Sequence, residues 1–329
     1  MRHFPLIRAI VLGGALVHAA GVAAQKPDEV SFGLASTSVA ASAGRVAHQM
    51  GLFEKHGIEP KFTVMDNANA TMAALVSRSV KAVVAGPGEL VVAQGRGQKV
   101  VALATAYDGM AGTLVLSKAA AGKVGIAADA PVAERLKALD GLVIGVPSPT
   151  AVYTIAYSNA AKSVGAAVRF TYMSQAAMPA AFDSGAIHGY VGSAPFWGIP
   201  ILKGNGVLWI SGPKRELPAQ FAPSHTASLQ VLRDFAETNP DLVKRLAAVF
   251  TDFSKAIAER PAEVKAAVGR LYPDLTPDAL ELLFASESEG WKTRPLTRED
   301  IMREIEFVRA SGAPLPEIDK IDPRSLIYP

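Results

Sequence analysis

The sequence predicts an α/β protein of two similar, doubly wound lobes with a ligand cleft between them, on three observations. Val30 to Val64 reads as one complete β-α-β unit. Val30, Phe32 and Leu34 alternate with Ser31, Gly33 and Ala35 as in a strand, Ala43, Val46, Ala47, Met50 and Phe53 recur at helical spacing, and Ile58, Pro60, Phe62 and Val64 alternate again. The unit recurs: Ile144-Gly145-Val146-Pro147-Ser148-Pro149-Thr150 echoes Phe32-Gly33-Leu34-Ala35-Ser36-Thr37-Ser38, with Gly165 and Val168-Phe170-Tyr172 completing it. A second echo keeps the order, since Ala181-Phe182-Asp183-Ser184-Gly185-Ala186-Ile187-His188-Gly189 resembles Ala74-Leu75-Val76-Ser77-Arg78-Ser79-Val80-Lys81-Ala82. The offsets are 112 and 107 residues.

In the first lobe, Ser36-Thr37-Ser38 is expected to cap the helix after the first strand, and Gly57 to close that helix without a Cβ penalty. A helix between two nearby strands implies a right-handed crossover and a parallel pair. Asn69 is expected to cap a short helix carrying Met72, Leu75 and Val76, and Val80–Ala85 to form a third strand. Gly86-Pro87-Gly88 turns into a helix over Glu89–Gln94. Lys99–Ala106 is nearly all apolar and reads as a parallel strand buried on both faces.

The second lobe begins at Thr113–Ser117. Ala119–Ala133 reads as a loop leading into a helix that ends near Leu139, and Leu142–Val146 opens the repeated unit. Gly192-Ser193-Ala194-Pro195 turns into a helix carrying Phe196 and Trp197, and Val207–Ile210 is a strand. The chain then returns to the first lobe. Pro240, Pro261 and Pro277 mark first helical positions, and Thr297-Arg298-Glu299-Asp300 reads as a capping box. The organisation expected is a leader over residues 1–24, a discontinuous lobe I of 26–112 and 211–329, and a lobe II of 113–210.

Composition narrows the address and the partners. Half of the 329 residues are hydrophobic, enough for two cores. The formal charge is +3, without a Lys/Arg run that could track phosphates, so no nucleic-acid partner is expected. Arg2 and Arg8 precede an apolar Ile10–Ala20 stretch, and Val22-Ala23-Ala24 fits a small-residue cleavage site. Cleavage after Ala24 would leave 31 basic residues against 30 acidic. With no cysteine, the chain can be neither a cysteine-anchored lipoprotein nor a disulfide scaffold, and an exported monomer of a bacterial periplasm is expected.

Ligands of open parallel sheets bind beyond the carboxyl ends of the strands. The loops expected there hold small polar residues: Ser36, Thr37, Ser38; Asn67, Asn69; Gly86, Pro87; Ser148, Thr150, Ala151; and Ser193, Pro195. One Ser or Thr alone is more simply a helix cap; five such loops at equivalent strand ends point to a site. Helix N-termini there would attract an anion, and Tyr107, Tyr153 and Trp197 would wall an organic one. His48, His56 and His188 show no metal-like spacing, and no G-x-S-x-G elbow or Walker loop is present, so no metal, cofactor or catalytic residue is expected.

Gly51-Leu52-Phe53-Glu54-Lys55-His56-Gly57-Ile58, Leu139-Asp140-Gly141-Leu142-Val143-Ile144-Gly145-Val146, Phe182-Asp183-Ser184-Gly185-Ala186-Ile187 and Asn239-Pro240-Asp241-Leu242-Val243 resemble the solute-binding proteins of nitrate, sulfonate and taurine ABC transporters, a group also named after thiamine-precursor-binding proteins. The resemblance runs from about Val30 to Arg270. It implies a type II periplasmic binding fold, capture of a small organic anion of sulfonate or carboxylate type, and delivery to a membrane permease. Two departures leave the ligand open: Ser193-Ala194-Pro195 stands where such proteins often carry an acidic residue and Pro, and no acid precedes Pro87. The alternatives are a periplasmic sensor for a membrane kinase, or an enzyme on this fold such as a thiamine-pyrimidine synthase, a desulfinase or a chorismate dehydratase. The first two enzymes resemble cases that use cysteine, and export argues against all three.

Overall fold

A computed structural model describes residues 26–65, 67–310, 312, 315 and 317–329. The expected leader and its cleavage site lie outside the described residues. Among the described residues ten strands form two five-stranded mixed sheets: β1 (Asp28–Leu34), β2 (Ile58–Val64), β3 (Ala82–Ala85), β4 (Val100–Asp108), β5 (Thr113–Ser117), β6 (Val143–Val146), β7 (Arg169–Tyr172), β8 (Gly189–Gly192), β9 (Gly206–Ile210) and β10 (His225–Leu232). Their orders are β2-β1-β3-β10-β4 and β7-β6-β8-β5-β9. These orders superpose the sequence echoes. β1 and β6 hold the same position, with β2 and β7 parallel on one side and β3 and β8 parallel on the other.

The fourth position in each sheet is where the two lobes exchange chain. In the first it is filled by β10, in the second by β5, and each runs antiparallel to both its neighbours. This corrects the reading of residues 99–106: β4 pairs with antiparallel β10 and with no parallel strand among those described. Its apolar character comes from cover by the C-terminal helices. The helix Pro240–Glu259 lays Val243, Leu246, Phe250, Phe253 and Ile257 inward, and the buried Trp291 meets Phe253 edge-on at 5.3 Å. Pro240, Pro261 and Pro277 do open helices, and Thr297 and Asp300 cap each other reciprocally.

Other local expectations shift. The first helix is two, Ala43–Gln49 and Leu52–Lys55, broken where Gly51 takes φ +72°. The helix Lys118–Val124 occupies the start of the stretch 119–133 that is expected to be loop. Phe196 and Trp197 precede the helix Gly198–Leu202 instead of lying on it. His188 sits just before β8, and its Nδ1 accepts from the Val143 amide. Gly185 (φ +76°) and Arg78 (φ +62°) occupy equivalent places in the two echoes, so one copy puts arginine in a left-handed conformation that the other gives to glycine.

The passage between sheets is tight. Residues 109–112 lead out of the first sheet, and residues 211–224 lead back. A Cβ on Gly212 would lie 2.5 Å from the Gly112 carbonyl oxygen, so the two crossings run against each other there. Thr226 ties the crossing down, accepting from Ala111 N at 2.8 Å and donating to Gly109 O at 2.7 Å.

Candidate functional site

The carboxyl ends of β1, β2, β3, β6 and β7 converge on a crevice between the sheets, holding about 70 Å³ of free space. From the first sheet it is lined by Ser36, Ser38, Asn67, Gly86 and Glu89, and from the second by Ala151, Tyr153, Ser174 and Gln175. Small side chains make the walls, among them Ala40, Ala41, Ala68 and Ala85. The sheets close on one another through hydrogen bonds. Val39 N donates to Ala194 O at 2.7 Å, Gln175 Nε2 to Ser36 Oγ at 3.3 Å, and Thr150 Oγ1 to Asn69 Oδ1 at 2.8 Å.

Ser36, Thr37 and Ser38 do not cap a helix. The helix begins at Ala43, and the stretch before it turns through buried Val39, Ala40 and Ala41. Burial of those three pulls the chain into the crevice before it can helix, which leaves the serines to one another. Ser36 Oγ donates to Ser38 Oγ at 2.9 Å, and Ser38 N donates to Ser36 Oγ at 3.2 Å. Thr37 engages through its carbonyl, which accepts from Tyr272 Oη at 2.6 Å. Likewise Ser148-Pro149-Thr150 precedes a helix that starts at Val152 with no side-chain cap. Ser148 and Asn69 border an adjoining opening with Asn67, and Ser148 Oγ is buried without a partner. Asn67, not Asn69, caps the next helix, its Oδ1 accepting from Ala70 N at 3.0 Å.

The remaining expected residues fall behind the crevice. Pro87 is buried at the start of the helix Pro87–Gly95, one residue past the lining Gly86. Ser193 is held by Gln175, whose Oε1 accepts from Ser193 N at 2.8 Å. Tyr107 and Trp197 converge on a residue the sequence reading passed over, Glu287: Tyr107 Oη donates to its Oε2 at 2.7 Å and Trp197 Nε1 to its Oε1 at 3.1 Å. Pro195 and Trp197 border an apolar groove with Leu275 and Leu283.

Glu89 is the second residue passed over, and it lies in the crevice itself. The expected helix begins two residues earlier than Glu89, with Gly86 as N-cap and Pro87 first, so Glu89 falls in the first turn. It is 3% exposed, and burial pushes its carboxyl up to about 7. Thr150 Oγ1 approaches its Oε1 only to 3.5 Å. An acid directly ahead of the apolar run Leu90-Val91-Val92 was the available signal. Among the described residues no Lys, Arg or His lines the crevice, and no group of three or more His, Asp or Glu could hold a metal ion.

A family model described as the NMT1-like family matches residues 23–271. Against the curated proteins no sequence matches. Among solved structures, one from Bordetella bronchiseptica RB50 aligns at TM-score 0.77 and 17% identity, over 92% of this chain and 95% of that one. The alkanesulfonate-binding protein SsuA from Xanthomonas axonopodis pv. citri, bound to MOPS, aligns at 0.69 and 16%, over 92% and 99%. The periplasmic nitrate-binding protein NrtA from Synechocystis PCC 6803 aligns at 0.62 and 13%, over 90% and 86%. The arrangement of two α/β lobes with a crevice between them is therefore that of a periplasmic binding protein.

Proposed function

The chain belongs to the NMT1-like family, and we propose that it is an exported, periplasmic solute-binding protein that captures a small organic molecule and delivers it to an ABC-transporter permease. The observation that carries this reading is the closed crevice. Its walls come from both sheets, and among the described residues hydrogen bonds such as Gln175–Ser36 and Thr150–Asn69 link them across it. Residues 26–112 and 211–329 form one jaw and 113–210 the other, and the paired crossings near Gly112 and Gly212 are the hinge. Such a pocket excludes water from its occupant, which strengthens each polar bond made inside it.

The ligand reading is a small molecule with a sulfonate or carboxylate group. Its donors would be the Ser38 hydroxyl, which Ser36 orients by donating to it, and the side-chain amide of Asn67, whose oxygen is committed to Ala70. Among the described residues the crevice serines Ser36 and Ser38 bond to one another and to amide and backbone groups, with no carboxylate or imidazole on them, which favours binding over catalysis.

A thermal-shift screen of the mature protein tests the function. The panel comprises sulfonates, aliphatic and aromatic carboxylates, nitrate, bicarbonate and pyrimidines, with calorimetry on every hit. One or more compounds recovered unchanged after prolonged incubation with the protein are expected to raise the melting temperature. A panel with no stabilising compound would remove the solute-binding reading.

A further inference from the structure

We propose that Glu89 is a specificity-determining residue of the crevice and that the occupant presents a protonated nitrogen to it, so that the natural ligand is an organic molecule carrying a cationic amine as well as an acidic group. This rests on the solute-binding reading and narrows its ligand class.

Two facts of geometry lead here. Glu89 lines the crevice, is almost wholly buried, and has no cationic partner among the described ion pairs. Among the described residues its one side-chain hydrogen-bond partner, Thr150, stands at 3.5 Å, a distance at which a hydrogen bond is weak, and that hydroxyl is already committed to Asn69 at 2.8 Å. A buried carboxyl held only by its own backbone amide and one distant hydroxyl, with no cation beside it, is costly, and the cost falls when an opposite charge is supplied. The crevice's other ionisable lining residue is Tyr153, which supplies no positive charge.

Charge balance then selects the ligand. A plain organic anion would either meet a second negative charge or hold the Glu89 carboxyl protonated, whereas an ammonium group pairs with it as the carboxylate. A ligand with both an acid and an ammonium group enters at no net charge. Its acidic end takes Ser38 and Asn67, and its nitrogen takes Glu89. Burial prepares the carboxyl for this role: with its titration moved up to about 7, an arriving cation converts it fully to the acceptor form.

Two matched series test the inference: 4-aminobutyrate, 4-hydroxybutyrate and butyrate, and 4-(aminomethyl)benzoate, 4-(hydroxymethyl)benzoate and 4-methylbenzoate. Affinities are measured by calorimetry on the wild type and on Glu89→Gln, which keeps shape and removes charge. In at least one series the amino member is expected to bind the wild type about tenfold or more tightly than its hydroxyl partner, and Glu89→Gln to abolish that preference. Equal binding of amino and hydroxyl members, or a preference that survives in Glu89→Gln, would overturn the inference. So would a hit from the wider screen that lacks a nitrogen donor or binds both proteins equally. If nothing in either set stabilises the wild type, the solute-binding reading falls, and this inference with it. Glu89→Asp serves as a folded control that retains charge and shortens reach, and it should recover part of the amino preference.

Discussion

Trp197 and Glu287 are hydrogen-bonded across the interface between the two sheets. The indole follows β8 of the second sheet, and the carboxylate ends the helix Pro277–Glu287 and reaches Tyr107 of β4 in the first. Glu287 is wholly buried and also takes the hydroxyl of Tyr107 and the Ala194 amide. It joins one strand of the first sheet to the loop after β8, behind the crevice rather than inside it. Trp197→Phe keeps most of the packing and removes one donor from a buried carboxyl. We expect it to lower unfolding free energy by about 1–3 kcal/mol, read by urea denaturation.

The same carboxyl makes stability depend on pH. Burial raises Glu287, and likewise Glu89 and Glu304, from the usual carboxylate range to about 7. A group raised in the folded state contributes stability that is complete below its unfolded pKa and is lost as pH rises through its folded value. These three therefore disfavour the fold progressively from about pH 4.5 to 7. Buried His225, lowered to about 4, acts in the opposite sense, its contribution being complete above 6.5 and lost on acidification. Three acids outweigh one base, so the melting temperature should fall between pH 5 and pH 8. Glu287→Gln should flatten the curve, gaining about 2 kcal/mol on the wild type across that interval. A parallel pair of curves would refute the assignment of Glu287.

Ser148 separates a binding role from a structural one. Its hydroxyl is buried without a partner, so Ser148→Ala should leave the free protein as stable or raise it by about 1 kcal/mol. If the ligand supplies the missing partner, the same change should cost about tenfold in affinity. Thr37→Ala should leave affinity unchanged, because Thr37 acts through its carbonyl. Calorimetry with any hit from the screen reads both.

Closure depends on a glycine. A Cβ on Gly88 would stand 2.8 Å from the carbonyl oxygen of Thr150, on the opposing lobe. Gly88→Ala should hold the crevice ajar, enlarging the radius of gyration seen by small-angle scattering in the presence of ligand and weakening binding about tenfold or more.

The internal echo makes its own prediction. Arg78 adopts the left-handed conformation that its counterpart, Gly185, adopts freely. Its ion pair with Asp234 is exposed on both sides and contributes little. Arg78→Gly should therefore stabilise the protein by about 0.5–1 kcal/mol, whereas Gly185→Arg should destabilise it. Thermal unfolding of both variants reads the pair.

What could be read beforehand follows the range of the interactions. The β1–helix–β2 unit rests on local alternation and on Gly57, and its echo around residue 144 lands on the matching strand of the second sheet. The partner of β4 was not legible, because an apolar run does not say which strand will cover it. The signal for β10 existed: Ala227, Leu229 and Val231 alternate with Thr226, Ser228 and Gln230 over a full strand. Those polar residues are buried because Gln230 Nε2 donates to the Ala85 and Gly86 carbonyls, a role set by tertiary packing. In the site, the strand-end serines and Asn67 were legible from loop chemistry. Glu287 was not, lying 180 residues from Tyr107 with no local pattern to mark it.

Gly112 and Gly212 have a consequence for how such a molecule can be rebuilt. The hundred or so residues between them leave the first sheet and return to it where the two crossings run side by side, Gly212 against Gly112 and Met110, and Ser224 against Gly109. That stretch is a cassette: its two ends are already neighbours, so another segment with adjacent ends could be grafted there without rerouting the rest of the chain. The fittings a graft must reproduce include the donor at Trp197, the Ala194 backbone, the Gln175 amide and the Thr150 loop. A chimera keeping those and replacing the remainder would exchange one wall of the crevice while Glu89 and the paired serines stay in place.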